Sequence, residues 1–254
     1  MEDNGEEMNE FPLVIVLLIT YERTEVALTT IRGIKERIRY PNLGWHIADD
    51  GSNGGHIEKL VEEIGADYEI TTSNTGGHSV GKNMNEGIAR CLERADMWLH
   101  WEDDWVPNME IELIPCVELF QENEEIGMVR LGRLQPDLYG HVITGGDRLW
   151  WRLDKEKQLW TWVGHAAMRH RRFHDAYGIY PEGQTPGITE LGMQSNVMCQ
   201  PGPDIVWPAW LRYDICDHIG DGYSFKEALE NRGLTREEAS KEFLDKLEAL
   251  KVSA

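Results

Sequence analysis

The chain has 254 residues, of which 41% are hydrophobic and 28% charged, enough for one α/β domain with a real core and room for a small appendage. Its formal net charge of -20 disfavours a broad surface for a nucleic-acid backbone or an anionic membrane, since both need basic patches. A local basic pocket stays open, so a nucleic-acid acceptor is disfavoured without being excluded.

Residues 1–11 read as an acidic, polar, disordered leader, lacking the basic start and long apolar stretch of a secretory signal. The apolar run 13–19 is too short to span a membrane and reads as a buried central strand, 13–20. The pattern then predicts helix 25–39, strand 45–48, helix 57–64, strand 68–71, helix 80–94 and strand 97–101. This alternation predicts a doubly wound, mostly parallel sheet, in which ligands bind beyond the carboxyl ends of the strands. The polar clusters 20–23, 49–53 and 102–104 all fall at that edge. Further on come helix 110–122, strands 127–133 and 141–144, and a less regular segment, 150–208, rich in Trp, Gly and Pro. Helices 224–231 and 235–250 follow, each opened by a capping box, Ser224 with Glu227 and Thr235 with Glu238. The cysteines Cys91, Cys116, Cys199 and Cys216 form no Cys-x-x-Cys pair, which points away from zinc and disulfides and towards reduced, mostly buried thiols in a cytoplasmic protein.

Three constellations carry chemistry. Asp49-Asp50-Gly51-Ser52 follows a strand, where a carboxylate can bind ribose hydroxyls or a base N–H; alone it also reads as an Asp-Gly turn. Residues 74–87 join a strand to a helix. There Asn74, Gly76 and Gly77 allow a ligand close to the backbone, the helix N-terminus favours anions, and Lys82 and Asn83 lie where a diphosphate would rest. Glu102-Asp103-Asp104 places three carboxylates side by side, an unfavourable arrangement without a cation. Oxygen ligands suit Mg2+ or Mn2+, and in an extended chain Glu102 and Asp104 share a side.

In this order and spacing the three constellations, preceded by Thr20-Tyr21-Glu22-Arg23, resemble the family-two glycosyltransferases of the GT-A fold over roughly residues 12–220. The resemblance implies a nucleotide-diphospho-sugar transferase domain over 12–222, with a nucleotide-binding half, 12–107, and a less regular acceptor half, 108–222. C-terminal helices would fill 223–254. It implies a sugar-nucleotide donor held by Thr20, Glu22, Arg23, Asp49, Asp50, Asn74, Gly76, Gly77, Lys82, Asn83 and Asp103. It also implies Mn2+ or Mg2+ held by Glu102 and Asp104, and a hydroxyl acceptor of unknown class. Glu102 departs from the family's first Asp and leaves the metal geometry open. The family's later acidic stretch is matched loosely by Tyr177-Gly178 and Thr189-Glu190, with Thr189 departing from the pattern. The match would make Glu190 the general base of an inverting transfer, with Asp175 and Glu182 as neighbours able to take the role. His218 resembles the late histidine that completes many GT-A metal sites, and reads equally as a structural histidine in a glycine loop.

Ten Trp residues suit sugar rings as well as cores; Trp98, Trp101, Trp105, Trp150, Trp151, Trp160 and Trp162 flank the expected site in sequence. The basic cluster His165, Arg169, His170, Arg171 and Arg172 reads either as an anion site or as a solvated helix face. Two other classes stay in view. A sugar-nucleotide nucleotidyltransferase calls for a Gly-rich basic loop after the first strand, where this chain has none; a dehydrogenase lacks its fingerprint at the same place. A non-catalytic carbohydrate-binding module has no use for the carboxylate cluster.

Overall fold

A computed structural model describes residues 11–65, 67–132, 139–157, 161–211 and 215–220. The leader, Trp160 and the C-terminal helices expected from the sequence lie outside the described residues, wholly or nearly so. The first half alternates as the periodicity requires: β1 (Val14–Thr20), α1 (Thr24–Arg37), β2 (Ile38–Arg39), β3 (Leu43–Asp49), α2 (His56–Ile64), β4 (Tyr68–Thr72), α3 (Val80–Arg94) and β5 (Met97–Glu102). The second half runs β6 (Trp105–Pro107), β7 (Ile111–Glu112), α4 (Ile114–Glu122), β8 (Ile126–Arg130), β9 (Gly140–Gly145), β10 (Arg148–Leu153), β11 (Ala167–His170), α5 (Arg171–Tyr177), α6 (Pro186–Cys199), β12 (Asp204–Pro208) and β13 (Cys216–His218).

Nine strands form one sheet in the order β4-β3-β1-β5-β11-β8-β12-β10-β9. β4, β3, β1 and β5 are parallel; β11 runs against both β5 and β8, β12 runs with β8, and β10 runs against its two neighbours. The sheet is therefore mostly parallel in direction. β1 is buried along its whole length, which its apolar, β-branched sequence permits because both faces of the sheet are covered. Alternation sorts its side chains. Val14, Val16 and Leu18 join Ala27 and Ile31 of α1, Leu60 of α2 and Phe120 of α4 on one face. Ile15, Leu17 and Ile19 join Met84 and Ile88 of α3, Phe173 of α5 and Met193 of α6 on the other.

The second half is more regular than its composition suggests. β10, β11, α5, α6 and β12 occupy the segment expected to be loop-like, and β7 replaces the start of the helix expected from residue 110. The basic cluster is no solvated helix face: Arg169 is fully buried on β11, and α5 begins only at Arg171. Trp98, Trp101, Trp150 and Trp162 are core residues, whereas Trp105 and Trp151 are half-buried. The thiols are free, Cys199 exposed and the other three buried. Among the described residues no helix is long and apolar enough to cross a membrane.

Candidate active site

The parallel register brings Thr20 of β1 opposite Asp49 of β3, and Ile19 opposite Glu102 of β5, so the three polar clusters share one edge of the sheet. Beyond Glu102 the chain turns, and Asp103 is pinned by its backbone N–H to the Ile19 carbonyl (3.1 Å) and by Thr20 Oγ1 to its own Oδ2 (2.8 Å). Thr20 Oγ1 also meets His56 Nε2 at 3.0 Å, while His56 Nδ1 reaches Thr24 Oγ1 at 2.9 Å. His56, at the start of α2, is a structural member of the site that sequence reasoning missed; nothing in its spacing marks it.

Arg23 spans the acidic turn. Its guanidinium contacts Asp103 and donates to Asp104 Oδ2 at 2.7 Å. His218 Nε2 stands 3.2 Å from the same Asp104 oxygen, carried there by pairing of β13 with β6. Burial raises the Asp103 carboxyl to about 6 against the pull of Arg23. Burial acts on Asp104 in the same direction, but the hydrogen bond from His218 and the charge of Arg23 hold that carboxyl below its ordinary range.

Glu102 meets a second carboxylate. Its Oε1 and Glu190 Oε1, from α6, both lie over Gly164, 3.3 and 3.1 Å from where a Cβ on that glycine would stand. Burial first, then the charges of Asp104 and Glu190, push the Glu102 carboxyl well above the usual carboxylate range. Glu190 keeps access to water at the surface of α6, and desolvation by the protein around its carboxyl raises it to about 7. Glu190, expected in a loop, thus lies on the second turn of a helix.

The donor residues named from sequence divide into two sets. Thr20, Asp49, Asp50, Asn83 and Asp103 are buried and bonded within the protein. Asp49 Oδ2 accepts from the Gly51 and Ser52 N–H groups (3.0 and 2.9 Å), closing the turn. Asp50 anchors the glycine loop, accepting from the N–H of Thr75 and of Gly77, both at 2.8 Å, and from the hydroxyls of Ser73 and Thr75. Those hydroxyl and N–H donors outweigh burial and lower its pKa. Asn83 donates to the Ala48 carbonyl at 2.8 Å, tying α3 to β3. Glu22, Arg23, Asn74, Gly76 and Gly77 are exposed at the rim, and Lys82 is half-buried behind them. Asn74, Gly76 and Gly77 adopt φ of 52°, 62° and 79°, which a glycine-rich loop tolerates. Tyr21, unremarked in the sequence, lays its ring against Gly77.

Among the described residues no three His, Cys, Asp or Glu side chains converge to hold a metal by themselves. Of the expected set of Glu102, Asp104 and His218, the last two stand 3.2 Å apart, and Glu102 is near enough for the charge of Asp104 to raise its carboxyl. Asp104 and His218 remain together. Asp104 Oδ1 is buried without a hydrogen-bond partner, an unsatisfied hard oxygen beside an imidazole. That pair fits a divalent ion whose other ligands come from substrate and water.

A mostly parallel sheet, an acidic turn beyond its central strand and a carboxylate helix facing that turn define the GT-A glycosyltransferase fold. Solved structures agree. TarS of S. aureus matches at TM-score 0.56 and 10% identity over 78% of this chain and 36% of that one. GalNAc-T7, bound to UDP, GalNAc and Mn2+, matches at 0.55 and 14% over 79% of this chain and 43% of that one. The Pyrobaculum calidifontis mannosyltransferase PcManGT, bound to GDP-Man and Mn2+, matches at 0.50 and 14% over 82% of this chain and 59% of that one. The chain thus spans less than two thirds of each. No family model matches it, and no curated sequence does.

Proposed function

We propose that this protein transfers a sugar from a nucleoside-diphosphate sugar to a hydroxyl acceptor, with inversion at the anomeric carbon. One observation carries the reading: Glu190 of α6 converges with Glu102 over Gly164, next to the acidic turn at the carboxyl edge of the parallel strands, and its carboxyl is raised to about 7. The likeness in fold to proteins that bind UDP, UDP-GlcNAc or GDP-Man supports a nucleotide-sugar donor.

In this reading the rim formed by Tyr21, Glu22, Asn74, Gly76 and Gly77, with Lys82 behind it, receives the nucleotide. Thr20, Asp49, Asp50 and Asn83 shape that rim from below. Glu190 accepts the proton of the acceptor hydroxyl. The hydroxyl oxygen bonds to the anomeric carbon as the bond from that carbon to the phosphate oxygen breaks, and the electron pair leaves with the diphosphate. Asp104 and His218 would hold Mn2+ or Mg2+, which when bound supplies positive charge to the departing diphosphate. Arg23 offers a second cation beside them.

The test is a thermal-shift series with nucleotide sugars, with and without Mn2+, followed by NMR of any product. Binding to the native state raises the melting temperature, and the rise keeps growing with the logarithm of ligand concentration above Kd. A donor that stabilises only with Mn2+ and yields inverted product supports the reading; retained configuration removes the inverting mechanism, and indifference to every nucleotide sugar removes the function.

A further inference from the structure

We propose that Gly164 is a positioning residue that lets Glu102 and Glu190 converge, and that Glu102 therefore serves the acceptor side of the site and not the metal. The inference rests on the transfer reaction above. Gly164 lies in the loop leading into β11, between the end of β5 and the second turn of α6. It does not have a positive φ, so the backbone there does not call for glycine. Space does. A Cβ would stand 3.1 Å from Glu190 Oε1, 3.7 Å from Glu190 Cδ and 3.3 Å from Glu102 Oε1, tighter than carbon–oxygen contacts normally run. The bare Cα is what allows two carboxylates from opposite walls to close on one spot.

This arrangement has a chemical consequence. A neutral hydroxyl entering between the pair can be oriented by one carboxylate and deprotonated by the other. An anionic nucleophile would be repelled by whichever of the two is ionised. The site thus selects a neutral acceptor group and depends on the position of Glu190 to within a fraction of an ångström. Misplacing a catalytic group by about 1 Å can cost on the order of 10²-fold in rate.

The experiment follows release of nucleoside diphosphate from UDP-GlcNAc and from GDP-mannose in the presence of Mn2+, with water as acceptor. The neighbours need give only a few tenths of an ångström, so Gly164→Ala should lower turnover by about 3- to 10-fold while donor affinity holds within about twofold. Gly187→Ala is the control: on the same helix as Glu190, with nothing within 4 Å of its Cβ position, it should change neither. A double-mutant cycle decides whether Gly164 acts through Glu190. Once Glu190 is Gln, adding Gly164→Ala should cost nothing more. If it slows the Gln variant by the same factor as the unsubstituted protein, the inference is overturned. Should Gly164→Ala not fold, Glu102→Ala gives a second arm, because it needs no new space. It should lower turnover yet keep the Mn2+-dependent rise in melting temperature; loss of that rise returns Glu102 to the metal and overturns the pairing. If the unsubstituted protein turns over neither donor, the same variants are run with whichever nucleotide sugar stabilises it in the thermal-shift series, and indifference to all of them overturns the functional reading and this inference with it. Normal turnover in Gly164→Ala beside an active parent overturns this inference alone.

Discussion

At the scale of single residues, the site separates its carboxylates by environment. Asp104, beside His218 and Arg23, is held ionised, whereas Glu190, partly desolvated by the protein around its carboxyl, is raised to about 7. A general base must be ionised to act. With a folded pKa near 7, the base is mostly charged above that pH and mostly protonated below it, so turnover should fall as pH drops through about 7. Glu190→Gln should lower turnover by about 10²–10⁴-fold, leave donor affinity nearly unchanged and abolish that limb of the pH–rate profile. Near-normal turnover in the variant would remove Glu190 from the role. Asp104 makes a separate demand. Asp104→Asn keeps the shape and removes the charge that a divalent ion needs, so the increase in melting temperature produced by Mn2+ with donor should vanish while circular dichroism is unchanged. Persistence of the increase would place the ion elsewhere.

At the scale of elements, how legible each was depends on what its sequence had to satisfy locally. β1, α3 and β5 were plain in the sequence because burial imposes a full apolar run on a central strand and a 3.6-residue stripe on a covering helix. α6 was hidden because Gly187 and Gly192 read as breakers. In the fold Gly192 is a point of close approach, with a Cβ there falling 2.4 Å from Pro181 Cγ. β11 was hidden because it is short and carries a buried Arg169 whose partner, Tyr180, lies eleven residues on. The loops expected to hold the donor stood out as motifs but not by role: whether Asp50 faces a ligand or its own loop depends on the tertiary approach of residues 73–77, which no local pattern encodes. Gly87 of α3 gives a test at this scale. Gly→Ala in an exposed helix interior gains up to about 1 kcal/mol. Here the added methyl would lie 2.7 Å from Leu17 Cδ1 and 2.8 Å from the Ala48 Cβ, so overpacking outweighs propensity. Gly87→Ala should lose about 1–3 kcal/mol in urea unfolding; a gain in stability would show that α3 does not seat on β1 and β3 as described.

At the scale of the whole molecule, the net charge of -20 sets a balance between long-range repulsion and local pairing. The surface does contain ion pairs, such as Arg32 with Glu63 and Arg90 with Glu93, each at 2.8 Å. Exposed pairs of this kind contribute about 0–1 kcal/mol each, and salt weakens them. Acidic groups outnumber basic ones 45 to 25, so a surplus of 20 carboxylates has no cation to pair with, and their mutual repulsion favours the expanded chain. Both terms are screened, because the Debye length shrinks from about 30 Å at 0.01 M to about 10 Å at 0.1 M and about 3 Å at 1 M. The repulsive term is summed over many distant pairs and loses the most when the screening length falls below the width of the domain. The attractive term sits in a few contacts far shorter than the Debye length and loses little. Raising KCl from about 0.01 to about 0.5 M should therefore raise the melting temperature at pH 7, with most of the gain below about 0.1 M, where the screening length changes fastest in absolute terms. A melting temperature that stays level or falls over that range would mean that local pairs dominate and that the surplus charge lies too far apart to act on the fold.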